Sequence, residues 1–353
     1  MRVLFTGGGT AGHVTPNIAL IERLQSEGWE TEYIGSKTGI EKELIGKLDN
    51  VPFYGISTGK LRRYFSWQNF LDPFRVIAGF FQAKKIIRRE KPDVIFSKGG
   101  FVSVPVVMAA GKVPVVSHES DYTPGLANRI AERYVDTVCL TFSDTVSKIR
   151  HARAVHTGTP IRAELFGGKA ERGLAFTGFT GEKPILLVMG GSSGAVALND
   201  LLRAALPRLL PVFDIIHLCG RGKLDPACEQ EGYRQYEYIS EELPDLMAAS
   251  DIILSRAGAN AIFEFLALAK PAVLVPLPLS ASRGDQILNA DYFVRKGYAI
   301  KVDQDTATPD TLADAIAHLY ENRIEYHANM VRDDMLDGTD EVLAQIRAAA
   351  KKE

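Results

Sequence analysis

Val3-Leu4-Phe5-Thr6-Gly7-Gly8-Gly9-Thr10-Ala11-Gly12-His13 is a short apolar run that breaks into glycines, and beyond it Ile18, Leu20, Ile21 and Leu24 recur at helical spacing. Strand, turn and helix in that order open an α/β unit. The glycines let the backbone come close to a ligand, and their N–H groups stand beside a helix N-terminus that favours an anion. This is not the dinucleotide fingerprint. A strand at Thr31–Ile34 runs on into Gly35-Ser36-Lys37, where that fingerprint requires an acid. His13 is the titrating group of the loop, expected in the first turn of the helix, where it either faces the ligand or caps and packs that turn.

The same opening recurs in the second half of the chain. Pro184-Ile185-Leu186-Leu187-Val188-Met189 is a buried-type strand, and Gly190-Gly191-Ser192-Ser193-Gly194-Ala195 turns into a helix carrying Leu198, Leu201 and Leu202. Two such openings imply two Rossmann-like, doubly wound α/β halves facing each other. Between them Gly167–Glu182 is glycine-rich with weak periodicity and reads as the passage from one half to the other.

A chain of 353 residues is long for a single core, which agrees with two domains. The net charge of −2 argues against a nucleic-acid binder. Cys139, Cys219 and Cys228 form no C-x-x-C pair and fit a reduced cytosolic protein. With the first strand starting at Arg2 there is no room for a signal peptide, and Lys112 and Lys270 interrupt the best candidate membrane spans. The chain therefore reads as soluble or bound at a membrane surface. Residues 60–91 carry nine basic groups, Lys60, Arg62 and Arg63 among them, against Asp72 and Glu90. Phe70, Phe74, Ile77 and Phe81 share a helix face there, expected to pack on the sheet. A basic stretch with surplus aromatics is also the pattern of a protein that sits on an anionic membrane surface.

Polar residues collect at further strand ends. Asp93-Val94-Ile95-Phe96 leads into Ser97-Lys98-Gly99-Gly100-Phe101, a second glycine loop that belongs near the first in a doubly wound sheet. Val113–Ser117 ends in His118-Glu119, where Glu119 is a base, a hydrogen-bond acceptor or a loop-fixing residue, and Asn128 follows on a helix. Tyr236–Ile239 reads as a short strand. Ser255-Arg256-Ala257-Gly258-Ala259 enters a helix on which Asn260 and Glu264 share a face, and a carboxylate there suits a vicinal diol. Gln286 and Asn289 begin another helix, and the tail from Thr311 is amphipathic and helical.

In this order the loops resemble the MurG family, the bacterial peptidoglycan glycosyltransferases of the two-domain GT-B fold that add N-acetylglucosamine to undecaprenyl-pyrophosphoryl-N-acetylmuramoyl-pentapeptide. The resemblance runs from Arg2 to about residue 300. It rests on Gly7–His13, Gly99–Ser103, His118-Glu119, Gly158-Thr159-Pro160-Ile161-Arg162, Gly190–Ala195, Ser255–Ala259 with Glu264, and Asp285-Gln286 with Asn289-Ala290. Lys60-Leu61-Arg62-Arg63-Tyr64 looks most like versions from low-GC Gram-positive bacteria. The resemblance implies an N-terminal acceptor and membrane domain over 1–161, joined by a C-terminal helix from about 336 to 353, and a nucleotide-sugar domain over 162–335. It implies that UDP-N-acetylglucosamine meets Thr10, Gly12, Arg162, Gly191, Ser192, Ile239, Ala259, Glu264 and Gln286. Within that set Ser192 would hold the diphosphate, Arg162 and Ile239 would flank the uracil, Glu264 would take the ribose hydroxyls and Gln286 the sugar. The acceptor, undecaprenyl-linked lipid I, would meet Gly8, Gly9, Gly99, Gly100 and Asn128. Ala11, Asp121 and Asp285 depart from the family pattern, which often has glycine at the first and an amide at the other two.

An inverting transfer to the C4 hydroxyl of N-acetylmuramic acid, giving lipid II, needs a base, a stabilised leaving diphosphate and a dry cleft. His13 is the candidate base and Glu119 the fallback. No Asp-x-Asp motif accompanies the phosphate loops, so neither a metal nor a cofactor is expected. The expected location is the cytoplasmic face of the cell membrane, with an anionic lipid surface as partner, no nucleic acid, and possible contacts to other cell-wall synthesis proteins. A glycolipid synthase with a diacylglycerol acceptor, a UDP-N-acetylglucosamine 2-epimerase and a non-catalytic nucleotide-sugar sensor are the rival readings.

Overall fold

The computed structural model describes residues 1–59, 68–191, 195–333 and 337–351, with no description of the side chains of Ala11 and of residues 68–71. Two compact units emerge, Met1–Arg162 with Asp337–Glu353, and Ala163–Leu336.

The first unit alternates strands and helices: β1 (Arg2–Thr6), α1 (Thr15–Ser26), β2 (Glu30–Ser36), α2 (Ile40–Ile45), β3 (Phe53–Ile56), α3 (Gln68–Glu90), β4 (Val94–Ser97), α4 (Ser103–Ala109), β5 (Val115–Glu119), α5 (Leu126–Ala131), β6 (Thr137–Leu140) and β7 (Arg153–His156). All strand pairings are parallel, in the order β3-β2-β1-β4-β5-β6-β7. Parallel strands covered on both faces must be apolar nearly throughout, hence runs such as Val3-Leu4-Phe5 and Val94-Ile95-Phe96, all fully buried. In register, Phe5 lies opposite Phe96 on one side and Tyr33 on the other.

In the second unit the chain runs α6 (Ala170–Thr177), β8 (Ile185–Met189), α7 (Val196–Leu209), β9 (Asp214–Leu218), β10 (Tyr233–Tyr236), α8 (Leu243–Ala249), β11 (Ile252–Ser255), α9 (Ala259–Ala267), β12 (Ala272–Leu274), α10 (Asp285–Arg295), β13 (Ala299–Lys301), α11 (Pro309–Glu321) and α12 (Arg323–Val331). Its parallel sheet has the order β10-β9-β8-β11-β12-β13. The final helix, α13 (Thr339–Ala350), belongs to the first unit. Its Val342, Leu343, Ile346 and Ala349 pack with Val3, Phe5, Phe96, Val116 and Cys139. In both sheets the order reverses beside the first strand, between β1 and β4 and between β8 and β11. The crevice outside the strand ends at such a point is where doubly wound sheets bind ligands.

Three sequence expectations change. The stretch 167–182 is not a bare passage, because it contains α6, which packs on α8. A Cβ on Gly168 would stand 2.1 Å from Pro244 O, and one on Gly173 2.4 Å from Asp245 O, so glycine is required for this approach. Strand β10 ends at Tyr236, which leaves Ile239 in the following loop, buried. The apolar stripe of α3 does not pack on the sheet, since Phe74, Ile77 and Phe81 are 70%, 54% and 63% exposed. The buried apolar side chains among those described in α3 are Ala83 and Ile87, and Asp72 is buried as well. The two stripes are offset by two residues, roughly 200° around the helix, and spacing alone does not say which faces inward. Phe70 and the basic segment with Lys60, Arg62 and Arg63 lie outside the described side chains. No helix among the described residues is long and apolar enough to cross a membrane.

Candidate functional site

At the β1/β4 reversal the two glycine loops of the first unit meet. Gly100 has φ +82°, and a Cβ there would lie 2.4 Å from Gly8 O and 3.3 Å from His13 Cδ2. Only glycine admits that contact, so His13 is brought beside the second loop. His13 sits in a 3-10 turn, Ala11–His13, closed by its N–H on Thr10 O at 3.1 Å, and not in the first turn of α1. Gly7 is equally confined, because its Cβ would stand 2.7 Å from His13 O and 3.2 Å from Lys98 Cβ. Gly9 has φ +88° with open space where a side chain would be, next to exposed Thr10 and Gly12.

Glu119 ends β5, buried, with both oxygens engaged. Oε1 accepts from Asp121 N–H at 3.1 Å, and Oε2 accepts from Gly125 N–H at 3.0 Å and Asn128 Nδ2 at 2.7 Å. Burial, reinforced by the Asp121 charge, pushes its carboxyl above the usual range. Asn128 in turn lies against Gly99, whose Cβ would come within 2.5 Å of Asn128 Oδ1. In this geometry Glu119 ties down the loop that carries Asn128 through three accepted hydrogen bonds.

Two residues that the sequence reading quoted but gave no role stand at the same place. Lys98, only 1% exposed, follows β4 and donates from Nζ to Ser120 Oγ. Burial pulls its ammonium down to about 8, against the raising effect of Glu119 and Asp121. A lone cation between a strand end and two glycines was the signal available for it. Beside it His118 donates from Nε2 to Gly158 O at 2.9 Å, and burial holds it well below its ordinary value, with Lys98 adding to the shift. A carbonyl oxygen only accepts, so the proton of the imidazole is on Nε2. Glu41 is fully buried under Gly8 and Gly9, and nothing in a short amphipathic helix start marks it out in sequence.

The second unit has its own reversal. Gly191 has φ +88° and is exposed after β8, whereas Ser192 lies outside the described residues. Ser255 Oγ donates to Met189 O at 2.9 Å and ties the ends of β11 and β8 together. Arg256 is buried behind them, its guanidinium donating to Val275 O at 2.9 Å and to Gln304 Oε1 at 2.6 Å. Asn289 Nδ2 donates to Ala257 O at 3.1 Å. These bonds hold the loop that enters α9, with Ala259 buried as its first residue and Glu264 half-buried just over one turn further on. Gln286, near the start of α10, accepts from Leu277 N–H at 3.0 Å, which leaves its amide nitrogen to donate. Asp285 forms an ion pair with Arg283 at 2.7 Å. Thr10, Gly12 and half-buried Arg162 belong to the first unit, and Gly191, Ile239, Ala259, Glu264 and Gln286 to the second. Among the described residues no three His, Cys, Asp or Glu side chains gather as a metal-ligand set.

The glycosyltransferase family 28 N-terminal domain matches residues 3–140, and the family 28 C-terminal domain residues 185–342. The UDP-N-acetylglucosamine–N-acetylmuramyl-(pentapeptide) pyrophosphoryl-undecaprenol N-acetylglucosamine transferase of Geobacillus thermodenitrificans is 53% identical over 353 residues, 99% of each chain. The enzyme of the same name from Clostridium tetani is 52% identical over 97% of this chain and 96% of its own. Among solved structures, Acinetobacter baumannii MurG superposes with a TM-score of 0.77 at 27% identity, covering 98% of this chain and 99% of the other. The glycosyltransferase of kitacinnamycin, at 15% identity and TM-score 0.75 over 99% and 97% of the chains, shares the fold. The two domains are thus the parallel-sheet α/β halves of a GT-B glycosyltransferase. Neither the diacylglycerol-dependent synthase nor the 2-epimerase is favoured by these likenesses.

Proposed function

The chain belongs to the family of UDP-N-acetylglucosamine–N-acetylmuramyl-(pentapeptide) pyrophosphoryl-undecaprenol N-acetylglucosamine transferases, and from that premise we propose that it converts lipid I to lipid II by an inverting transfer for which His13 is the base. The C4 oxygen of the muramoyl residue bonds to the anomeric carbon of N-acetylglucosamine as the bond from that carbon to the β-phosphate oxygen breaks. UDP leaves with the electron pair, and His13 takes the hydroxyl proton. A base is needed because an alcohol is a weak nucleophile at neutral pH.

The observation that carries this reading is the convergence of Gly8, Gly100 and His13 at the strand-order reversal of the first unit. A proton acceptor there adjoins loops fit for the acceptor's pyrophosphate, with Gly99 and Asn128 beside them. Glu119 is the positioning residue of this site, since three donors already occupy its carboxylate. In the second unit Glu264 accepts the ribose hydroxyls, the Gly190–Ser192 loop takes the diphosphate, Gln286 donates to the sugar, and Ile239 serves the uracil, a role that the family resemblance also gives to Arg162 of the first unit. The amides and the α7 N-terminus supply the leaving-group stabilisation.

The enzyme works as a peripheral protein on the cytoplasmic face of the membrane. Exposed Phe74, Ile77 and Phe81 on α3, in the company of Arg75, Lys84, Lys85 and Arg88, support this. Apolar side chains left in water beside cations match an anionic lipid surface. The deciding assay is transfer of labelled sugar from UDP-N-acetylglucosamine to lipid I in detergent. Labelled lipid II is the expected product, and turnover of the donor without any acceptor refutes the reading.

A further inference from the structure

A glycine loop poised to receive an anion has one of its amides already bound to an anion of the protein's own. The Gly9 N–H donates to Glu41 Oε2 at 3.2 Å. The other oxygen, Oε1, accepts from Ser36 N–H at 2.9 Å and from Ser36 Oγ at 2.5 Å. Glu41 has no exposed surface, although it stands in the first turn of a six-residue helix where a solvated acid is the ordinary finding. Its carboxyl is walled by glycines. A Cβ on Gly8 would stand 2.6 Å from Cδ, one on Gly35 2.8 Å from Cγ, and one on Gly39 2.3 Å from both oxygens. The opposite side of Gly8 carries the contact with Gly100, and Gly100 faces His13. The order through the site is therefore Ser36, Glu41, Gly8-Gly9, Gly100, His13.

We propose that Glu41 is a positioning residue for the transfer: its carboxylate, fixed by Ser36, holds the Gly8-Gly9 turn against Gly100 and so sets where His13 stands. This rests on the reading of His13 as the base. A carboxylate suits the role because it only accepts, so the Gly9 amide is drawn inward and the loop is left with one conformation. The glycine walls are the matching half of the device, since a side chain at 8 or 39 would occupy the carboxylate's place and one at 35 would crowd Glu41 Cγ and the Phe53 ring.

Glu41→Gln keeps the outline of the side chain. Its amide oxygen still serves Ser36, and its amide nitrogen then confronts the Gly9 N–H, donor against donor. The expected result is a kcat at least tenfold lower with UDP affinity within twofold of wild type by calorimetry. Deuterium exchange in the Gly7–His13 peptide should be at least tenfold faster. Combined with His13→Ala, Glu41→Gln should cause no further loss, because it acts through the histidine. A kcat within twofold of wild type, unchanged exchange, or a double variant slower than His13→Ala by the full factor of Glu41→Gln would each overturn the proposal. If Glu41→Gln does not fold, Ser36→Ala releases the carboxylate from one of its holders, and wild-type kcat and exchange there overturn it equally. Should His13→Ala alone keep near-normal kcat, the base assignment is what fails, and the exchange rates of Glu41→Gln still decide whether the carboxylate holds the loop.

Discussion

Glu119→Gln separates a carboxylate that takes a proton from one that holds a loop. In the wild type the two oxygens receive three hydrogen bonds, from Asp121 N–H, Gly125 N–H and Asn128 Nδ2. Glutamine does best with its oxygen in the Oε2 position, where it keeps Gly125 and Asn128. Its NH₂ then faces the Asp121 N–H, and one charge-assisted bond becomes a donor–donor contact. A bond to a charged group is worth about 1.5–3 kcal/mol, so the unfolding of the first unit should be about 2 kcal/mol easier. That lowers its midpoint by roughly 4–8 °C for a unit of this size. With Asn128 still tied to the side chain, the KM for lipid I should rise by less than tenfold. The shape of the pH–rate profile should stay as in the wild type. Urea titration and the pH dependence of kcat are the two measurements. A variant as stable as the wild type that loses 10²-fold or more in kcat together with its acidic limb would make Glu119 the base and refute the positioning role.

Glu264→Ala removes the partner proposed for the ribose hydroxyls and should weaken UDP binding by roughly 2 to 4 kcal/mol, read by calorimetry; wild-type affinity would remove Glu264 from the donor site. Phe74→Ser combined with Phe81→Ser should cut sedimentation with anionic vesicles at least tenfold and leave the melting temperature unchanged, because both rings stand in water already. Lys98 has a folded-state value of about 8 against 10.5 for the ordinary side chain. The unfolded chain therefore binds the extra proton between those values, and stability should rise with pH from about 8 to 10.5 and lack this term below 8. Lys98→Met should flatten that rise in denaturation at pH 7.5 and 9.5; an unchanged slope would show that the lysine is charged in the native protein throughout.

The strand, glycine turn and helix at both openings were legible because each is local: apolar runs, positive-φ residues and a helical period are written in consecutive positions. So were His13 and the second glycine loop, since strand order alone brings β1 and β4 side by side. What escaped depends on contacts between distant segments. Glu41 looks like an exposed helix acid until Gly8 and Gly35 close over it. For Glu119 the sequence left base, hydrogen-bond acceptor and loop-fixing residue side by side, and the bonds from Asp121, Gly125 and Asn128, which fold back on it, are what favour the last. Helix α3 has two apolar stripes, and only the seat of Ala83 and Ile87 in the core decides that Phe74 and Phe81 face solvent. Helix α6 was missed because Gly173 and Gly178 weaken the helical signal, although Gly173 is there for close approach and Gly178, at φ +73°, for the C-cap.

Helix α13 has a consequence for how the chain is made. The first unit draws Val342, Leu343, Ile346 and Ala349 into the same cluster as Val3, Phe5 and Phe96, while the second unit is one uninterrupted stretch. During synthesis the first sheet leaves the ribosome with the part of one apolar face that α1 does not cover left open, and the second unit is completed before α13 appears. At about 5–20 residues per second, the 174 residues from 163 to 336 that separate the two parts of the first unit take on the order of 9 to 35 s to translate. Through that interval the first unit is a sticky, unclosed layer, and by its end the second unit can already be native, so the half of the protein that is made first is the half that finishes last.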